Sequence, residues 1–291
     1  AKASSSPTKK PTMVTNLDQI KVSGEDGKAP KVEGAWPLAI AKTESKILKE
    51  GTGEKVDKNA TLKVNYVGVN GRTGKEFDSS YKRGTTADFP LAQVVPGFAK
   101  GLVGKHQGDR VLIMMPGSDG YDSQGGAPQA GIMKGDSLIF VVDIVAIPLP
   151  KATGETVKPA AGLPTVKEVQ GAPAVTIGKA TKPNKLVVQP LIKGKGAAVT
   201  AHDSIDVKYR TYAWSSGELI EDGYSGEPVT GSMNSVIPGW KKGLIGQTVG
   251  SRVMLIVPPA DAYPNGSTNP PVKKGETLIY VIDILSAQKE S

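Results

Sequence analysis

The stretch from Glu76 to Gly84, EFDSSYKRG, sets a large ring (Phe77), a carboxylate (Asp78) and a cation (Arg83) in one short segment that reads as a loop. A ring beside a fixed carboxylate can wall a dry pocket and hold a charge against a polar group of a bound chain. Taken alone, such an Asp and Arg are an exposed ion pair of little energetic weight. A second stretch in the same context, LIEDGYSGE from Leu219 to Glu227, has neither the ring nor the cation. One copy keeps a grouping that the other has lost.

Other chemistries fail on residue type or spacing. The chain has no cysteine, which removes disulfides, thiolate metal sites and Cys nucleophiles. Its two histidines, His106 and His202, fall in polar turns, and no G-x-S-x-G elbow is present for a serine triad. DGYDSQGG (Asp119 to Gly126) misses the calcium-loop spacing and is expected to shape the loop around Tyr121. GTGEK and GKGAA precede strands rather than opening helices and lack the P-loop pattern, so they read as turns. No metal and no cofactor is expected.

The elements that would carry the grouping occur twice. The offset that brings KAPKV (Lys28 to Val32) over GAPAV (Gly171 to Val175) also brings Gly51–Gly68 over Gly194–Thr211. After one deletion, VVPGFAKGLVGKHQGDRVLIMMPGSDGY (Val94 to Tyr121) lies over VIPGWKKGLIGQTVGSRVMLIVPPADAY (Val236 to Tyr263), and KGDSLIFVVDIV over KGETLIYVIDIL. A repeat this long is a tandem pair of domains, not a solenoid. Leu62, Val64 and Tyr66 alternate with polar residues, as do Ile205, Val207 and Tyr209, and read as strands with one wet face. RVLIMM, RVMLIV and the two late runs are continuously apolar and suit central strands. Phe98 with Leu102, and Trp240 with Leu244, mark one short helix per copy, opened by Pro96 or Pro238 and closed by Gly104 or Gly246.

Composition agrees. With 35 Gly and 22 Pro among 291 residues, the chain favours short strands and turns over long helices. Its formal charge of +8 divides evenly between the halves, without the stripe or tail of a nucleic-acid binder. No apolar run reaches the length of a membrane span. The polar, Ser- and Pro-rich start suggests a disordered tail over residues 1–16 that follows a removed export signal. A secreted or envelope-tethered protein is therefore expected, with a cytosolic one as the alternative reading. Residues 147–164 read as a stiff linker, and 288–291 as a short tail.

At these motifs the sequence resembles the FKBP-type peptidyl-prolyl cis-trans isomerases, the immunophilins that bind rapamycin-like macrolides. The first copy carries VNYVG, FDSS followed by Arg83, VVPGFAKGL, GDRVLIMMP through Tyr121, and LIFVVDI. The second carries VKYRT, VIPGWKKGLIGQTVG, VPPADAY and LIYVIDIL. The resemblance implies an α+β fold of two FKBP-like domains, each a twisted antiparallel sheet of five or six strands curled around one short helix. The first domain would span 17–146, with an N-terminal extension before a core at 61–146, and the second 165–287, with its core at 204–287.

It also implies a pocket between helix and sheet. In the first domain Tyr66, Phe77, Asp78 and Tyr121 would act on the substrate, and Arg83, Val94, Val95, Phe98, Ile132 and Phe140 would bind or position it. The second-domain counterparts are Tyr209, Ile220, Glu221, Val236, Ile237, Trp240, Tyr263, Val272 and Tyr280. Phe98 departs from the family's usual Trp, Ala87 stands where a loop ring often follows the Arg, and Gly226 takes the place of that Arg in the second copy. The first domain is thus expected to isomerise X-Pro bonds in folding client proteins and to be the macrolide site, with the second degenerate or weakly active. A monomer is expected. The competing reading is a chaperone or interaction module on the same scaffold, without fast isomerisation.

Overall fold

The computed structural model describes residues 9–25 and 27–290, which divide into two compact units, one up to Ile147 and the other from Pro148. In the first, strands β1 (Glu44–Lys49), β2 (Thr61–Asn70) and β3 (Glu76–Ser79) precede a helical turn, α1 (Ser80–Arg83). Strand β4 (Ala87–Pro90), helix α2 (Pro96–Leu102), and strands β5 (Arg110–Met115) and β6 (Leu138–Ala146) complete it. The sheet is antiparallel in the order β1-β5-β6-β2-β3, with β4 pairing the first half of β2.

The second unit repeats this plan with β8 (Val187–Gly194), β9 (Asp203–Ala213), β10 (Leu219–Asp222), β11 (Val229–Ser232), α3 (Pro238–Leu244), β12 (Arg252–Val257) and β13 (Leu278–Lys289). Ahead of these comes β7 (Gly154–Thr156), which pairs with β8 and raises the sheet to seven strands. Residues expected to form a linker therefore belong to the second sheet. Thr153 N–H donates to Gly250 O and Val157 N–H to Leu191 O, and Leu163 packs against buried strand residues. Nor is the expected C-terminal tail loose, since β13 runs to Lys289 and the Glu290 carboxylate accepts from Ser204 and Ser232.

The continuous apolar runs exist because both sheet faces are covered. On β5, Val111, Ile113 and Met115 face the core under α2, with Phe98 and Leu102, while Leu112 and Met114 face a second cluster. That outer cluster is built by the N-terminal extension, which lays Val14, Leu17, Ile20, Leu38 and Ile40 over Val67, Val69, Ile139 and Val141. The expected wet face of β2 is thus buried at Val67 and Val69. A disordered tail cannot extend to residue 16 either, because Thr12–Met13 pairs with Leu38–Ala39 and Val14 is buried; residues 1–8 lie outside the described residues. The second domain is covered in the same way by Val166 and Val175, from its own hairpin Thr165–Val169 and Ala172–Thr176, and by the flanking Leu163 and Ile177.

Each short helix can lie close to its sheet because glycine faces it. A Cβ on Gly101 would come within 2.7 Å of Ile113 Cδ1, and one on Gly243 within 2.6 Å of Leu255 Cδ2. Pro96 and Pro238 open the helices, and Gly104 and Gly246 turn the chain away at φ +86° and +89°. Among the described residues no helix is long and apolar enough to cross a membrane.

Candidate active site

The segment EFDSSYKRG is not a loop: its first half is strand β3 and its second half is α1. Ser79 caps α1 by accepting from Lys82 N–H, and Gly84 closes it at φ +70°. Buried Ser80 accepts from the Tyr66 amide at 2.8 Å and donates to Asn65 at 3.0 Å, pinning the turn to β2. The Tyr81 hydroxyl donates to Asp143, which also takes a bidentate pair from Arg110 at 2.7 and 2.9 Å. So anchored, the turn brings Arg83 back onto Asp78.

There Arg83 donates to one oxygen of Asp78 and the Tyr66 hydroxyl donates to the other. The guanidinium also stands 5.8 Å from the Tyr66 ring centroid. Burial first, and the bond to Asp78 second, push the Tyr66 hydroxyl up to about 12. Burial, with the charge of Asp78 added, raises Tyr121 as well. These three residues therefore sense one fixed negative charge.

Beside that charge lies a cavity of about 290 Å³, lined by Tyr66, Phe77, Asp78, Phe89, Gln93, Val94, Val95, Phe98, Tyr121, Gln124 and Phe140. Its rings touch in a chain, with Phe98–Phe140 centroids at 4.5 Å, Phe89–Phe98 at 4.7 Å, Tyr66–Phe89 at 5.0 Å and Phe77 edge-on to Phe140 at 5.6 Å. The Val95 amide, just ahead of α2, has no acceptor among the described residues. Asp119, paired to Lys100 at 2.9 Å, and Asp122, accepting from Gly135 N–H at 2.7 Å, hold the loop that carries Tyr121.

One expected position falls elsewhere: Ile132 is buried in the core cluster and does not line the cavity. Arg83, expected to fix Asp78, does so and meets the cavity only through that carboxylate. Sequence reasoning also missed Phe89, having placed the loop ring at Ala87. Both residues turn to the core, as alternation along β4 requires, but only the ring at 89 reaches the pocket. The signal was the Ala-x-Phe spacing in ADFP. Gln93 and Gln124 carried no signal of their own.

In the second domain Tyr209, Trp240 and Tyr280 form the corresponding cup, with Tyr209–Trp240 at 4.9 Å and Trp240–Tyr280 at 5.5 Å, both edge-on. Ile220, Val236, Ile237 and Tyr263 pack around it half-buried, and Val272 is buried in the same core. Glu221 accepts from the Tyr209 hydroxyl at 3.0 Å and from Thr211 Oγ1 at 2.9 Å. Strand register places Gly231 opposite Ile205, as Phe89 lies opposite Leu62, so this pocket lacks a ring on that side. Thr211 takes the place of Gly68, each paired with the pocket residues of both neighbouring strands. Gly68 is required where it stands: a Cβ there would lie 2.7 Å from Phe77 and 2.9 Å from Phe140. Among the described residues no group of His, Asp and Glu could hold a metal ion.

Comparison with known proteins bears on both domains. The family model described as FKBP-type peptidyl-prolyl cis-trans isomerase matches residues 52–145 and 195–285. A probable FK506-binding protein of Corynebacterium glutamicum is 32% identical over 117 residues, which is 40% of this chain and 98% of that protein. The Escherichia coli isomerase FkpA is 36% identical over 107 residues, or 36% of this chain and 38% of its own. Among solved structures, the three FKBP domains of wheat FKBP73 align over 86% of this chain and 96% of theirs at 19% identity and a TM-score of 0.36. Matched twice by that model, the chain belongs to the FKBP-type peptidyl-prolyl cis-trans isomerase family.

Proposed function

We propose that the first domain accelerates rotation about X-Pro bonds and that the second is degenerate or weakly active at the same site. The observation that carries this reading is Asp78, clamped between the Tyr66 hydroxyl and Arg83 beside a cup of four Phe rings. Rotation about a peptide bond faces a barrier of roughly 18 to 20 kcal/mol, because resonance gives the C–N bond double-bond character. No nucleophile is needed to lower it; what helps is a site that favours the twisted amide, in which that resonance is broken. The twisted carbonyl is less polar than the planar one. A cup of Phe77, Phe89, Phe98 and Phe140 excludes the water that stabilises the planar form, the Val95 amide offers the substrate a donor, and Asp78 holds a fixed charge near the twisting group.

The test is exchange NMR of a Leu-Pro peptide with the full chain. Asp78→Val or Phe77→Ala should remove most of the acceleration, and changes at Ile220 or Glu221 little of it. Acceleration surviving both first-domain changes would reverse the assignment. Macrolide binding is expected in the first domain too, read as a rise in melting temperature that Phe77→Ala abolishes. Undiminished binding in that variant would move the drug site elsewhere.

A further inference from the structure

The charge that is neutralised in the first pocket is left without a counterion in the second. Gly226 stands where the first domain has Arg83, and nothing lies within 4 Å of the place its Cβ would occupy. Glu221 is held by two hydroxyls, Tyr209 and Thr211, and no Lys, Arg or His pairs with it among the described residues. Arg210, one residue along β9 from both holders of Glu221, is committed elsewhere: it is bidentate to Asp222 at 3.0 and 3.1 Å and donates to Pro173 O. The negative field of Glu221 crosses the cup, adding to burial in raising the Tyr263 and Tyr280 hydroxyls.

The walls of this cup are also unlike the first. Trp240 is only 7% exposed, and its indole Nε1–H has no acceptor among the described residues. A buried donor left unpaired is costly. Tyr280 brings a phenol to the position of Phe140. Rings of Trp and Tyr within 6.2 Å of one another, beside a carboxylate that has no counterion among the described residues, are the chemistry that attracts an organic cation.

We infer that the second pocket is a binding site for proline segments in which a lysine or arginine adjoins the proline, the proline entering the ring cup and the basic side chain meeting Glu221. The two domains would then sort clients by the neighbour of the proline, the first taking apolar neighbours and the second basic ones. This extends the reading of the second domain given above, and it stands or fails apart from first-domain catalysis.

The three tryptophans make the test direct, since the first cup contains none and the second contains Trp240. The full chain labelled with 5-fluorotryptophan is titrated with capped Ala-Lys-Pro-Ala, Ala-Leu-Pro-Ala and Ala-Glu-Pro-Ala, and the Trp240 signal is assigned by Trp240→Phe. The Lys-Pro peptide should move that signal at about tenfold lower concentration than the other two, an advantage that shrinks as salt is raised. Glu221→Gln should erase the advantage while the Trp36 and Trp214 signals stay in place. Gly226→Arg, which restores the missing cation in open space, should erase it as well, and gives a second variant should Glu221→Gln fail to fold. Equal response to the Lys and Leu peptides, an advantage that survives both variants, or no peptide moving the Trp240 signal would each overturn the inference. Because isomerisation is read separately through Asp78→Val, failure of one claim leaves the other intact.

Discussion

The pockets at Gly68 and Thr211 differ by exchanges that must be made together. In the first domain Phe77 and Phe140 press against a position that has no side chain, and the carboxylate is held by a tyrosine and an arginine. In the second a threonine fills that position, the ring shrinks to Ile220, and the threonine hydroxyl takes over part of the work of holding the carboxylate. The loss of Phe at 220 is therefore not decay of a single residue. A larger ring there would collide with Thr211, and a glycine at 211 would leave Glu221 with one donor fewer. What is common to both domains lies behind the pocket, where Arg110–Asp143 and Arg252–Asp283 form matching bidentate pairs.

The largest difference between the domains should appear at those shared pairs. Asp283 is almost wholly buried, with 3% of its side chain exposed against 20% for Asp143, which also keeps the Tyr81 hydroxyl. Arg252→Ala should cost about 3–5 kcal/mol by stranding a buried charge. Arg110→Ala should cost less. Urea unfolding followed by the fluorine signals separates the two, since Trp36 reports the first domain and Trp214 and Trp240 the second; a costlier Arg110→Ala would break the comparison. Next, Ile220→Phe alone should destabilise the second domain by about 1–3 kcal/mol through overpacking. Adding Thr211→Gly should return most of that, giving a favourable coupling in a double-mutant cycle. Strict additivity would mean the two positions do not see one another.

A smaller effect concerns pH. The Tyr66 hydroxyl is raised to about 12 in the folded chain, whereas an unfolded Tyr ionises near 10. Its contribution to stability is complete below pH 10 and is lost as pH rises through that interval, because the unfolded chain releases its proton first. Tyr66→Phe should flatten the alkaline fall in first-domain stability, measured by urea midpoints from pH 9 upward. The smallest change in stability should come from Arg83→Ala, about 0.2–1 kcal/mol, since the ion pair with Asp78 is half exposed. Its isomerase rate should nonetheless fall several-fold as Asp78 loses one of its two holders, and an unchanged rate would show that the Tyr66 hydroxyl positions the carboxylate alone.

The duplication, the strand assignments around Tyr66 and Tyr209, and the helix ends at Pro96 and Gly104 were legible because each depends on local pattern or on residues with restricted backbones. The pairing of Asp78 with Arg83 was legible through the family motif. Phe89 was missed because counting from Arg83 cannot decide which of two inward residues on one strand has the reach to enter a pocket. The interplay of Gly68 with Phe77 was invisible for a related reason: the residues meet across strands, and only register brings them together. The outer cover of each sheet was hidden most deeply. Its apolar residues, such as Val14, Leu17, Leu38 and Ile40, are scattered singly through polar segments and form a surface only once folded. Residues 147–164 read as a linker for the same reason, their Pro and Gly being as suitable for a wrapped chain as for a free one.

The matched family module begins at residue 52 in one half and 195 in the other, yet the sheet of each domain is closed by chain that precedes those points. Excising either module at the family boundary would strip the cover from Val67, Val69, Leu112, Met114, Ile139 and Val141, or from Met254, Ile256 and Ile279, and turn a buried layer into a sticky surface. The portable unit of this protein, for recombination as much as for expression, is the pocket together with its wrapper.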